Sequence, residues 1–76
     1  MENKILDILE DVCGTDEIKE DRDINLFKSG LLDSLGVTAL LVELDEEMGV
    51  HIAPTEITRF DIETPNKIIE YIAKRG

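Results

Sequence analysis

Apolar residues recur along this chain at the spacing of helix faces rather than in the alternation of strands. Ile5, Ile8, Leu9, Val12 and Cys13 follow the i, i+3, i+4, i+7, i+8 pattern, with Leu6 beside them and Asp7, Glu10 and Asp11 on the opposite side. The spacing predicts a first helix from about Asn3 to Cys13, stopped by Gly14. Between Thr15 and Asp33 the periodicity breaks. Acids and Lys19, Arg22 and Lys28 alternate there with single apolar anchors at Ile18, Ile24, Leu26, Phe27, Leu31 and Leu32. A connection this long inside a small domain is expected to be pinned by its own side chains. Ser29-Gly30 reads as a turn just before Leu31-Leu32 enter the core.

Asp33 is placed to cap a second helix from about Ser34 to Met48, which Gly49 ends. Val37, Leu40, Leu41, Leu44 and Met48 form its inward stripe. Leu35 and Val42 fall at the edge of that stripe or beyond it and are expected to be exposed, and the acids Glu43, Asp45, Glu46 and Glu47 lie largely outside it. Val50-His51-Ile52-Ala53 reads as a connector with some strand propensity and no pairing partner. Pro54 is expected to open a single helical turn through Ile57 and Thr58. Thr64-Pro65 is a helix start, an N-cap followed by Pro at the first helical position, and Ile68, Ile69, Ile72 and Ala73 give that helix its inner face. The fold class expected is all-α: a small bundle of three main helices plus one short helix, with a long first loop, forming one domain over residues 1–76.

Composition narrows the function. Eighteen Asp and Glu against eight Lys and Arg in 76 residues give a formal net charge of −10. A surface of that sign does not suit nucleic acid, whose phosphates need basic contacts, and anionic membrane surfaces repel it too. No apolar stretch is long enough to span a bilayer, and the acidic start lacks the basic and apolar regions of a signal peptide, so a cytoplasmic monomer is expected. One Cys and one His leave neither an internal disulfide nor a plausible zinc site. Cys13 falls on the apolar stripe of the first helix, where a buried thiol is expected. His51 has no acid beside it by spacing, and catalysis by it is not expected.

Asp21, Asp23 and Asn25 stand at the alternate spacing that opens an EF-hand loop. The sixth and twelfth positions, which need Gly and a bidentate Glu, are Leu26 and Leu32, so calcium binding is not expected. Ser34 is the residue whose setting points to chemistry. It follows the Asp33 cap at the first turn of an amphipathic helix, where backbone N–H groups and the helix dipole favour an anion on its hydroxyl. By spacing alone, a share in the capping is the simpler explanation, and spacing does not settle the choice.

The run Gly30-Leu31-Leu32-Asp33-Ser34-Leu35 resembles the Asp-Ser-Leu attachment site of the acyl and peptidyl carrier protein family, and the likeness extends over the whole chain. It implies an acyl-carrier-like helical bundle whose Ser34, flanked by Asp33 and Leu35, bears a covalent 4'-phosphopantetheine arm derived from coenzyme A. Within that family the chain is most similar to the D-alanyl carriers of teichoic-acid D-alanylation. Asp11-Val12-Cys13, Gly36 after the Asp-Ser-Leu run, Ala39 in place of a docking Glu, and Phe60-Asp61 followed by Thr64-Pro65-Asn66-Lys67-Ile68-Ile69 carry the similarity. The resemblance implies a non-catalytic carrier that holds D-alanine as a thioester for lipoteichoic or teichoic acid. The alternative is a carrier for fatty-acid, polyketide or peptide synthesis. The implied partners are a phosphopantetheinyl transferase, an adenylating D-alanine ligase and a membrane acyltransferase. Leu35, Gly36 and Val42, with Glu43, Glu46 and Glu47 as a charged rim, are the docking residues expected on that reading. Gly36→Glu is expected to keep the fold and slow loading by the ligase.

Overall fold

A computed structural model describes residues 2–75 as an arrangement of helices and turns. Helix α1 (Glu2–Cys13), the short α2 (Glu17–Glu20), α3 (Ser34–Met48) and α4 (Pro65–Arg75) follow in that order, with a 3-10 helix (Arg59–Ile62) just before α4. Helix α1 is central: α3, α2 and α4 all pack on it, and α4 also packs on the 3-10 helix. This three-sided packing widens the buried arc of α1, so that Leu6, beside the main stripe, is buried along with Ile5, Ile8 and Leu9. Val12 and Cys13 lie at its fraying end and are only half-buried. The Cys13 thiol is therefore less enclosed than the periodicity implied, although burial still raises its pKa.

The core joins Ile5 and Leu9 of α1 to Leu40 and Leu44 of α3, Ile68 and Ile72 of α4, and the loop anchors Ile18, Leu26 and Leu32. Each fully buried side chain of this size contributes roughly 1.5–3 kcal/mol. Glycines in the left-handed region end two of the helices, Gly14 at φ 72° and Gly49 at φ 67°, a conformation that favours residues without a Cβ. Thr64 caps α4 as expected, its Oγ1 accepting the Lys67 N–H at 3.1 Å.

The long first connection is pinned, and by more than its apolar anchors. Its residues 17–20 form α2, a turn too short to leave a periodic trace in the sequence. Ile18 plugs it into the core, and Lys19 donates to Asp7 at 2.8 Å and Glu10 at 3.1 Å on α1. Asp21 accepts the Asp23 N–H, Asp23 accepts from the Asn66 side chain at 2.8 Å, and Asn25 accepts from both Phe27 and Lys28 backbones. The three residues at EF-hand spacing thus fold the loop against the start of α4. Backbone bonds complete the attachment, Leu26 N–H to Glu63 C=O at 2.8 Å and Asn66 N–H to Arg22 C=O at 3.0 Å.

Four local expectations are corrected. The helical turn expected from Pro54 to Thr58 is a simple turn, with Glu56 N–H donating to Ala53 C=O and the Glu56 carboxylate taking the Ala53 N–H. The helical turn forms at Arg59–Ile62 instead, because the Asp61 carboxylate accepts the Thr58 N–H at 2.9 Å and the Thr58 hydroxyl at 3.2 Å. That reciprocal start carried a legible Thr-x-x-Asp signal. Ala73 is exposed: it lies about 100° round the helix from Ile72, past the edge of the seam. Val37, Met48 and Leu31 are half-buried rather than buried. Finally, His51 does have an acid beside it. Gly49 turns the chain back along α3 and leaves His51 Nδ1 3.5 Å from Asp45 Oδ2, but in open solvent with the imidazole 82% exposed. Ile52 and Ile62, which the periodicity did not mark, are both buried in the core.

Candidate functional site

The segment that leads into α3 is built to hold Ser34 still. Gly30, at φ 79°, reverses the chain, Leu32 is buried, and its N–H returns to the Leu26 carbonyl at 2.9 Å. Asp33 is extended, at φ −131° and ψ −171°, and its side chain accepts the Gly36 N–H at 2.8 Å. One of the orphan N–H groups of the first turn is thereby satisfied by the residue before Ser34.

Ser34 is exposed as the first residue of α3, and among the described residues its hydroxyl takes no hydrogen bond. The capping that could have occupied it belongs to Asp33. Its own carbonyl accepts the Thr38 hydroxyl at 3.2 Å, so only the Oγ is left for chemistry. These residues fit a phosphate ester at that oxygen: the group sits in solvent, free of competing bonds, over the positive end of a 15-residue helix.

A cleft of about 270 Å³ opens beside Ser34, between α3 and the segment that ends in the 3-10 helix. Val37, Ile57 and Ile62 line it with apolar surface, and Phe27 and Arg59 line it too. Arg59 lies over the Phe27 ring, its guanidinium carbon 4.8 Å from the ring centroid. The sequence reading passed over both of these residues as site members. A weak signal existed, a single Arg in an otherwise uncharged run from Ile57 to Phe60, but 25 positions separate it from Ser34 and only the fold brings them to one cleft.

The residues expected to dock partners separate in the structure. Leu35, Val42 and Glu46 are exposed, Leu35 at 82%, and the exposed Ala39, which was not among them, falls in line with them at intervals of four, three and four. That spacing makes one outward stripe on α3 beginning next to Ser34. Glu43 and Glu47 face elsewhere. They line a hollow of about 290 Å³ against α1 with Lys4, Asp7 and Asp11, and Lys4 pairs with Glu47 at 3.5 Å. Desolvation there, a hydrogen bond with Asp11 and the negative charges of Asp11, Glu47 and Glu46 push the Glu43 carboxyl up to about 7. Gly36 is half-buried beneath the stripe. A Cβ built on it would stand 2.9 Å from Cδ1 of the buried Leu32 and 3.4 Å from the Asp33 carboxylate. Its lack of a side chain thus serves packing within the chain, which the expectation that Gly36→Glu leaves the fold alone did not include.

Comparison with known proteins gives the family. The profile of the phosphopantetheine attachment site family matches residues 3–72. The chain is 45% identical over 75 residues to a D-alanyl carrier protein of Abiotrophia defectiva, covering 99% of this chain and 95% of the relative. It is 48% identical over 69 residues to one from Lacticaseibacillus rhamnosus, 91% and 85% of the two chains, and 40% identical over 72 residues to one from Enterococcus faecalis, 95% and 92%. The chain belongs to the phosphopantetheine attachment family, and within it to the D-alanyl carrier proteins. No helix among the described residues is long and apolar enough to cross a membrane.

Proposed function

We propose that Ser34 is the attachment residue and that the arm it bears carries D-alanine for the D-alanylation of lipoteichoic or teichoic acid. The observation that carries the reading is the division of labour at the start of α3: Asp33 caps the helix at 2.8 Å, and the Ser34 hydroxyl beside it is left exposed. The names of the relatives supply the cargo.

In the modification step, the Ser34 Oγ forms a P–O bond to the phosphate on the pantetheine half of coenzyme A. The pyrophosphate P–O bond breaks, adenosine bisphosphate leaves, and the hydroxyl proton passes to a base of the transferase. Within this chain, Leu32 and the Asp33 cap hold the serine at the helix end, and the helix dipole favours the charge that arrives there. When bound, the arm supplies a terminal thiol that can hold an aminoacyl group as a thioester. The chain itself then performs no chemistry; it presents the loaded thiol to partners from the cytoplasmic side. Those partners are a phosphopantetheinyl transferase, an adenylating D-alanine ligase and a membrane acyltransferase. The stripe Leu35–Ala39–Val42–Glu46 is the docking face, with Gly36 beneath it and Glu43 and Glu47 to one side.

Intact mass after incubation with coenzyme A and a broad-specificity phosphopantetheinyl transferase tests the site. The wild type is expected to gain one phosphopantetheine and Ser34→Ala none. A folded wild type that gains nothing would return Ser34 to a simple helix residue. Loading of the holo protein by a D-alanine ligase with ATP, read again by mass, tests the cargo; loading by an acyl-group ligase alone would overturn it.

A further inference from the structure

The cleft beside Ser34 holds a cation in a setting unusual for this chain. Lys4, Lys19, Arg22, Lys67, Lys74 and Arg75 each make an ion pair with a carboxylate. Among the described residues, Lys28 and Arg59 are the two cations that make none. With eighteen acids in the chain, scarcity does not explain an Arg without a carboxylate. Asp61, two residues along, accepts from the Thr58 N–H and hydroxyl and makes no ion pair with Arg59. What holds Arg59 is the Phe27 ring. A contact with a ring face satisfies none of the guanidinium's N–H donors, and Arg59 makes no side-chain hydrogen bond among the described residues. Arg59 and Ser34 line the same cleft.

We propose that Arg59 is a positioning residue that binds the phosphodiester at Ser34 and so draws the root of the arm across the cleft toward Phe27. This rests on the reading of Ser34 as the attachment residue. A phosphodiester keeps its negative charge at every physiological pH, and here it would join a chain of net charge −10 beside the Asp33 carboxylate. The helix dipole offsets only part of that repulsion. A guanidinium meets phosphate oxygens with two parallel N–H bonds, stronger than neutral ones and more geometrically selective than an ammonium contact. Stacking on Phe27 restricts the Arg59 side chain in advance, which lowers the entropy lost when the contact forms.

Wild type, Arg59→Gln, Arg59→Lys and Lys28→Gln would be converted to the holo form, with intact mass confirming one arm on each. Phosphorus NMR of the holo proteins at rising salt, and backbone amide shifts of apo and holo forms, then read the contact. In the wild type the phosphorus resonance is expected to move as salt screens the pair, and attachment is expected to shift the Phe27 and Arg59 amides. Arg59→Gln should lose both responses, Arg59→Lys should keep the salt response in weakened form, and Lys28→Gln, with the same change in net charge, should keep both. Wild-type responses retained in holo Arg59→Gln would overturn the proposal while leaving the attachment site intact. So would an Arg59→Gln variant whose melting temperature falls equally in apo and holo forms with the phosphorus response unchanged, since that is a structural role only. Absence of any mass gain on wild type would overturn the Ser34 reading and this one with it.

Discussion

The Asp33 carboxylate accepts the backbone N–H of Gly36 at 2.8 Å, and that single bond both starts α3 and frees the hydroxyl of the serine between them. Removing the carboxylate should cost the cap. Asp33→Ala is expected to lower stability by about 1 kcal/mol, and Asp33→Asn, which keeps an acceptor oxygen, by much less. Urea unfolding of the apo protein measures both. Equal stability of Asp33→Ala and wild type would show that the cap contributes nothing and that Ser34 has no need of it.

Gly36 carries a second expectation, opposite to the usual trend. Gly to Ala inside a helix normally stabilises by about 1 kcal/mol. At Gly36 the added Cβ would stand 2.9 Å from Leu32 Cδ1 in the core and crowd the cap carboxylate, and overpacking of this kind costs about 1–3 kcal/mol. Gly36→Ala is therefore expected to be neutral to destabilising, and combination with Leu32→Val should recover part of the loss by making room. A stabilised Gly36→Ala would mean that Leu32 moves aside freely, leaving partner access as the reason for the glycine. Gly36→Glu should then be tested at equal folded fraction, where slower ligase loading is still expected.

The hollow between α1 and α3 makes stability depend on pH. The Glu43 carboxyl, raised to about 7 in the folded chain, has an ordinary value near 4.5. Between those values the native state binds more protons than the unfolded state, so stability falls as pH rises from about 4.5 to about 7, and the loss is complete above the folded value. Screening at this half-open site reduces the effect to on the order of 1 kcal/mol. Glu43→Gln should be more stable than wild type at pH 8 and show little difference at pH 5. Asp7, Asp11, Glu46 and Glu47 share the region and Lys4 is the one cation lining it; desolvation is the largest cause of the shift, so Asp11→Asn should weaken the dependence without abolishing it. Identical denaturation midpoints of Glu43→Gln and wild type at both pH values would refute the raised Glu43 carboxyl.

Net charge gives a prediction independent of any one residue. At −10 over 76 residues, self-repulsion opposes compaction. Moving from low to moderate salt, or adding a divalent cation, should raise the melting temperature, each kcal/mol of relief being worth about 4–8 °C in a domain of this size. A melting temperature flat across that range would locate the repulsion in the unfolded chain as much as in the folded one.

The three long helices and the start of α3 were legible in the order of residues alone. Those depend on local physics: a 3.6-residue apolar period in α1 and α4, the Asp33 and Thr64 caps, and the left-handed stops at Gly14 and Gly49. The exposure of Leu35 and Val42 was legible for the same reason, as they fall off the buried stripe of one helix. The short elements were not. Helix α2 exists because Ile18 reaches the core and Lys19 reaches two acids of α1, contacts with residues 9 to 12 positions away. Where the short turn forms before α4 was decided by the competition between Pro54 and the Thr58–Asp61 pair, which the side-chain bonds at Thr58 settle. The meeting of Glu43 with Asp11 at the seam, and of Arg59 with Ser34 at one cleft, lies wholly in the tertiary structure. Packing of α3 on α1, and of the 3-10 helix on the same core, brings those residues together, and a pattern read along one helix at a time carries no information about it.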